Sequence, residues 1–257
     1  MRIVVCVKPV PLTVELDRTT TRVDRTGPVG LAAVDEHSIE TALRIRDSSE
    51  GAEVVLLALT AATAFDSLRP GLAMGADRAV VIAGPEFEGS DLLGTSLALA
   101  EAARALAPDL LVFGASSSDG NGAMLWAAVA ARLDLPVVSR AISAEVAHGR
   151  LTATRQMESG LDVVEADLPA VLAISGEIAA PRYPSFRDVI GAKKKTVEVL
   201  GLGSGIDVPA ERVGAAGSRT TVLGIRETSP RGTRTIIRDE GDAHVQLAAF
   251  LRERRLL

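Results

Sequence analysis

Short apolar runs alternate with amphipathic stretches over the first half of the chain. Arg2–Val7 is an apolar run rich in Val and Ile, the pattern of a strand buried on both faces. Lys8-Pro9-Val10-Pro11 ends it, and polar residues dominate to about Gly30, with Thr19–Thr21 and Asp24–Gly27 suggesting a loop or hairpin. Asp35 is placed to cap a helix whose Ile39, Ala42, Leu43 and Ile45 share one face. Glu53–Leu59 repeats the strand pattern, Thr63 opens a helix carrying Phe65, Leu68 and Leu72, and Gly75 ends it. Arg78–Ala83 predicts a third strand, Ser90 or Asp91 caps a helix through Ala107, and Leu110–Phe113 predicts a fourth strand.

After Pro136 the period changes. Val137–Val146 and Leu151–Met157 flank a turn at His148-Gly149 with partial alternation, which predicts a β-hairpin. Leu161–Ala166 and Ala170–Ser175 read as two further strands that extend the same sheet, and Ser185–Ala192 reads as a helix. From Gly201 the chain turns rich in Gly, Thr, Ser and Arg until a last helix over His244–Arg254. Strands alternating with helices imply a mostly parallel sheet. The expectation is therefore an α/β, Rossmann-like fold flanked by helices, with an added β-hairpin and an extended C-terminal arm. Residues 1–200 form the nucleotide-binding domain on this reading, and 201–257 the arm, which cannot bury much surface alone.

Composition narrows the function. The 257 residues suffice for a core without disulfides or metals. Aromatics are only 3%, which argues against a stacking surface for sugars or single-stranded nucleic acid, and a net charge of −5 leaves no basic footprint for nucleic acid. Cys6 is the single cysteine and excludes an internal disulfide. Lys8 and Pro9 interrupt the first apolar stretch before it could act as a secretion signal, and no apolar run is long enough to span a bilayer. A cytoplasmic location is expected.

The segment richest in candidate chemistry is Gly114-Ala115-Ser116-Ser117-Ser118-Asp119-Gly120-Asn121-Gly122, between a strand end and an apolar helix over Ala123–Leu133. Ligands of parallel sheets bind beyond the carboxyl ends of strands. Small residues let a phosphate approach the backbone, and free N–H groups at a helix start favour an anion. The same residues would equally serve a tight strand-to-helix turn with an Asp or Asn cap. Gly201–Gly205 resembles part of a dinucleotide fingerprint, yet no amphipathic helix follows, so a hinge fits better. His37, His148 and His244 are scattered without metal-ligand spacing. Lys193-Lys194-Lys195 follows a helix end, where its dipole favours cations. Pro181-Arg182-Tyr183-Pro184-Ser185-Phe186 holds the only tyrosine in a proline-bounded loop that either presents Phe186 outward or packs back on the body.

Taken in order, several segments resemble the β subunit of electron transfer flavoproteins. They are Val5-Cys6-Val7-Lys8-Pro9-Val10-Pro11, Asp35-Glu36 with Glu40-Thr41-Ala42-Leu43, Leu72–Arg78, Ser118-Asp119-Gly120-Asn121, Leu168-Pro169-Ala170-Val171, and Pro181–Phe186 followed by Ala192-Lys193-Lys194-Lys195. The resemblance covers residues 1–198 well. It implies an electron carrier without catalytic residues of its own, in a heterodimer with an α subunit that holds most of the FAD. It further implies a structural AMP, whose phosphate is cradled by Gly114, Ser116, Ser117, Ser118, Asp119, Gly120, Asn121, Gly122, Ala123, Met124 and Leu125. Cys6, Ala32, Ala33, Val34, Asp35 and Leu59 would line the rest of that pocket, and Thr13 would approach the flavin. Arg182, Tyr183, Pro184, Phe186, Lys193, Lys194 and Lys195 would dock partner proteins: acyl-CoA-type dehydrogenases as donors, with a membrane quinone oxidoreductase as acceptor. Two alternatives stand beside this. A bifurcating relative would hold a second FAD in place of AMP; Asp91 and Thr95 fit its pattern and Leu92 does not. A stand-alone adenine-nucleotide sensor would need no partner.

Overall fold

The structure is a computed structural model that describes residues 1–176, 178–226 and 236–257, without the side chain of Ala62. Its elements in chain order are β1 (Arg2–Cys6), β2 (Pro9–Pro11), β3 (Leu16–Asp17), β4 (Arg22–Val23), β5 (Val29–Leu31), α1 (Ala33–Asp47), β6 (Glu53–Leu59), α2 (Arg69–Met74), β7 (Arg78–Ile82), α3 (Leu92–Leu106), β8 (Leu110–Gly114) and α4 (Leu125–Leu133). They continue with β9 (Val137–Ala147), β10 (Arg150–Met157), β11 (Gly160–Asp167), β12 (Ala170–Ile174), α5 (Phe186–Ala192), β13 (Val197–Leu202), β14 (Gly205–Ile206), α6 (Gly214–Gly217) and α7 (Ala243–Glu253). A 3-10 turn over Ala62–Leu68 runs straight into α2, so the helix expected from Thr63 is split into two geometries.

Ten strands form one sheet in the order β11-β10-β9-β12-β8-β1-β6-β7-β13-β14. All neighbours from β9 to β14 are parallel, and β9, β10 and β11 form an antiparallel extension at one edge. The α/β, mostly parallel, Rossmann-like arrangement and the added hairpin are those the sequence implied. His148 and Gly149 make the β9–β10 turn with positive φ at both positions (52° and 75°), the geometry that matches strand twist.

The centre of the sheet is buried on both faces because β1, β6, β7, β8 and β12 are apolar at almost every position. Along β1, Ile3 and Val5 point to one core with α1 residues Ile39 and Leu43, while Val4 and Cys6 point to the other with α3 residues Ala98 and Leu99. Alternation of period two thus splits one apolar run between two cores.

The chain after β1 runs through β6 and β7 on one side, then returns to place β8 on the other side of β1. The carboxyl ends of β1 and β8 therefore frame the topological switch point, where a crevice opens in such sheets.

Two boundaries differ from expectation. Val197–Leu202 is a strand that pairs with β7, and the compact unit runs through Val222 rather than ending near residue 200. Ile206, Val208 and Val213 are buried and explain why. Gly201–Gly205 spans the end of β13, the two-residue connection Gly203-Ser204 and the start of β14, with Gly203 and Gly205 at positive φ. The second unit, Leu223–Leu257, contains α7, and residues 227–235 of the expected arm lie outside the described residues. Among the described residues no helix is long and apolar enough to cross a membrane.

Candidate functional site

At the switch point the chain leaves β1 at Lys8 and β8 at Gly114. Gly114 is required here: a Cβ would stand 2.7 and 2.9 Å from the two methyls of Val34 and 3.1 Å from Asp35 Oδ1. The first turn of α1 thus packs directly on the end of β8. Asp35 was expected to cap this helix. Instead Ala32 is the N-cap residue and has no side-chain cap bond, while the buried Asp35 carboxylate accepts the Lys8 backbone N–H at 2.7 Å. Burial pushes the Asp35 carboxyl up to about 7, against that hydrogen bond and the Lys8 charge. Cys6, one turn of pleat away at the end of β1, is buried, and burial followed by the Asp35 charge pushes its thiol up.

The loop after β8 is organised by Asp119, whose side chain is 0% exposed. Its carboxylate accepts Lys8 Nζ at 2.9 Å and pairs with the Arg25 guanidinium. Lys8 Nζ also reaches Ser117 Oγ at 3.3 Å. Burial acts to raise the Asp119 pKa, but the bonds from Lys8, Ser117 and Arg25 hold it down to about 2. Neither Lys8 nor Arg25 stood out in the sequence as a site residue. The only local signal was a lysine directly after an apolar strand.

Beyond Asp119 the backbone is bare. Gly120, Asn121, Gly122, Ala123 and Met124 are exposed, Gly122 faces open space, and Asn121 and Ala123 sit in the left-handed region at φ 43° and 48°. That conformation costs ~1–2 kcal/mol for a residue with a Cβ. Met124 precedes α4 without a side-chain cap bond, so the N–H groups of the first turn are left for a ligand. Two flanking cations, an open backbone and an uncapped helix start together suit an anion such as a phosphate.

The other predicted pocket residues fall into place unevenly. Ala32 is buried, Val34 half-buried and Ala33 exposed at the start of α1. Ser116 and Ser117 are half-buried and Ser118 exposed. Leu59 ends β6, the strand beside β1, and is half-buried. Leu125 is half-buried at the first position of α4. Thr13 lies in an exposed loop with Leu12 and Val14.

A second surface lies around α5. Tyr183 is 99% and Phe186 81% exposed, so both project from the body instead of packing back. Arg182 is turned inward onto Glu40 and Asp47, and Pro184 is half-buried. Lys193 and Lys194 are exposed, whereas Lys195 donates to the carbonyls of Leu72 (3.0 Å) and Ala76 (2.6 Å), at the end of α2. Burial lowers its pKa. A pocket of about 440 Å³ opens beside α2 and α5, with Met74, Tyr183, Arg187 and Lys195 in its lining.

Residues 20–203, more than two-thirds of the chain, match the electron transfer flavoprotein domain. The chain belongs to that family. Electron transfer flavoprotein subunit beta of Mycobacterium tuberculosis is 34% identical over 235 residues, spanning 88% of this chain and 87% of the relative. Electron transfer flavoprotein subunit beta of Megasphaera elsdenii is 31% identical over 252 residues, 94% of this chain and 93% of its own. The caffeyl-CoA reductase-Etf complex subunit CarD of Acetobacterium woodii is 34% identical over 203 residues, 77% of this chain and 78% of the relative. The electron transfer flavoprotein match spans Arg25, Asp35, Asp119 and the α5 surface; Lys8 precedes it and falls within the stretch before residue 20. Among the described residues no group of three or more His, Cys, Asp or Glu is arranged to hold a metal.

Proposed function

We propose that the chain is the β subunit of a heterodimeric electron transfer flavoprotein, with AMP held on the loop after β8 and one edge of the FAD site supplied by the Thr13 loop. The observation that carries the nucleotide assignment is the convergence of Lys8 and Arg25 on Asp119, beside the open backbone and uncapped start of α4. The residues fit a nucleotide monophosphate: the phosphate would face Gly120–Leu125, and the small Ala32 and Ala33 leave room beside it. Flavin, when bound, supplies the redox chemistry. This chain's own residues position it and set its electrostatics. Thr13 offers a single hydroxyl there, consistent with a flavin held chiefly by the α subunit.

On this reading Phe186 and Tyr183 dock acyl-CoA-type dehydrogenases, and electrons pass on to the respiratory chain through a membrane quinone oxidoreductase. The exposed residues of the C-terminal arm, Leu223 among them, would wrap the α subunit. The competing arrangement with a second FAD draws on Asp91. That carboxylate is already occupied: Oδ1 accepts Leu93 and Gly94 N–H, and Oδ2 accepts Arg219 N–H and Thr220 Oγ1. A residue so engaged favours AMP.

Quantifying FAD and AMP released on denaturing the purified heterodimer tests the reading. One of each per heterodimer is expected. Two FAD and no AMP would replace it with the bifurcating arrangement, and nucleotide bound to a stable monomer without flavin would replace it with a sensor.

A further inference from the structure

Residues 178–185, ahead of α5, carry no helix or strand, and three side chains of α1 hold them. His37 Nδ1 meets the Ala179 carbonyl at 2.7 Å. Glu40 does more. Its side chain is 5% exposed, and its carboxylate accepts Arg182 Nε at 2.7 Å, the Arg182 backbone N–H at 3.2 Å, the Arg182 terminal nitrogen at 3.2 Å and Arg44 Nε at 2.9 Å. Burial acts to raise the Glu40 pKa, yet the bonds from Arg182 and Arg44 hold it below the usual carboxylate range. Asp47 takes the second Arg182 terminal contact at 3.0 Å.

The next residue, Tyr183, is fully outside, and Phe186 follows at the start of α5. Both rings are largely exposed. The far end of the segment is secured as well: Ser185 and Asp188 form a reciprocal capping box, and Arg69 donates to the carbonyls of Ala192 and Lys195 at 2.9 and 3.0 Å. A surface loop with exposed aromatics ordinarily loses conformational freedom on binding, and ordering it in advance removes that cost.

We propose that the Glu40–Arg182 pair is a positioning clamp that holds the Tyr183–Phe186 surface ready for its protein partner. Glu40 thereby sets the affinity of a surface it does not belong to. The inference rests on the docking role assigned to Phe186 above.

The test uses the purified heterodimer as the varied electron acceptor for an acyl-CoA dehydrogenase, with E40Q and R182K each made alone and combined with F186A. The clamp predicts KM raised about three- to tenfold in E40Q and R182K, with kcat and flavin content unchanged. It predicts faster hydrogen exchange of amides 183–190, and no further rise in KM when either change is added to F186A. If F186A raises KM while E40Q and R182K do not, the clamp is overturned and the docking surface stands. If F186A leaves KM unchanged, both fall. Additive effects, flavin loss in step with KM, or failure of both clamp variants to assemble would show a purely structural pair and overturn the proposal.

Discussion

Lys8 Nζ lies 2.9 Å from Asp119 Oδ1, across 111 residues of sequence. The contact joins the exit of β1 to the loop after β8, and Arg25, between β4 and β5, closes the same carboxylate. One buried carboxylate therefore fixes three segments around the switch point. Removing it leaves two partly exposed cations that water can solvate, which limits the loss.

Asp119→Asn is expected to lower stability at neutral pH by ~1–2 kcal/mol. Because Asp119 is held down to about 2 in the folded protein, its contribution is present at pH 6 and disappears as pH falls from about 4 towards 2. Urea unfolding of both proteins at a series of pH values checks this. A gap that does not narrow on acidification removes the ion pair as its cause.

Asp35 gives the opposite slope. The folded protein keeps this proton up to about 7, whereas an unfolded aspartate releases it near ~4. Between those values the native state binds more protons than the unfolded chain, so stability falls as pH rises from ~4 to ~7. Asp35→Asn retains an acceptor for the Lys8 N–H and lacks the titration. Relative to wild type it should gain ~1–3 kcal/mol between pH 5 and pH 8. Parallel stability curves over that interval would rule the assignment out.

Gly114→Ala drives a methyl into Val34. The expected cost is ~1–3 kcal/mol, with reduced AMP content after purification. Adding Val34→Ala should recover most of the stability, since it deletes the two methyls met by the new Cβ. Without that recovery, the close approach of β8 and α1 is not what the glycine serves.

The three lysines after α5 should separate. Lys195→Ala removes a cation from two helix-end carbonyls and should lower stability by ~1–2 kcal/mol with little effect on docking. Lys193→Ala with Lys194→Ala should leave the melting temperature unchanged and raise the KM for a dehydrogenase at low salt. Equal melting temperatures in both variants would contradict the assignment for Lys195.

Much of the fold was legible because its central strands are buried on both faces and short. Glu53–Leu59 and Leu110–Gly114 stand out from the amphipathic α1 and α3 by period alone. Val197–Leu202 escaped notice since Glu198 and Gly201 break its apolar pattern, and β14 beyond it is only two residues long. The loop after β8 announced itself through Gly and Ser. Its cations did not, because Lys8 and Arg25 owe their role to a carboxylate far along the chain. Asp35 was misplaced for a related reason: an Asp at a helix start reads as a cap, and only the packing of Gly114 against α1 reveals that it faces Lys8. Glu40 looks like any glutamate of an exposed helix until Arg182 arrives from 142 residues away.

Scarcity of aromatic residues has an optical consequence. The single tryptophan, Trp126, is the second residue of α4, packed against the core with an indole N–H that has no partner among the described residues. The single tyrosine, Tyr183, stands in water on the α5 surface. This chain's tryptophan and tyrosine emission therefore comes from two addresses, one beside the loop after β8 and one on the α5 surface. A shift in the indole band reports events at the first, and quenching of the phenol reports events at the second, with no label attached.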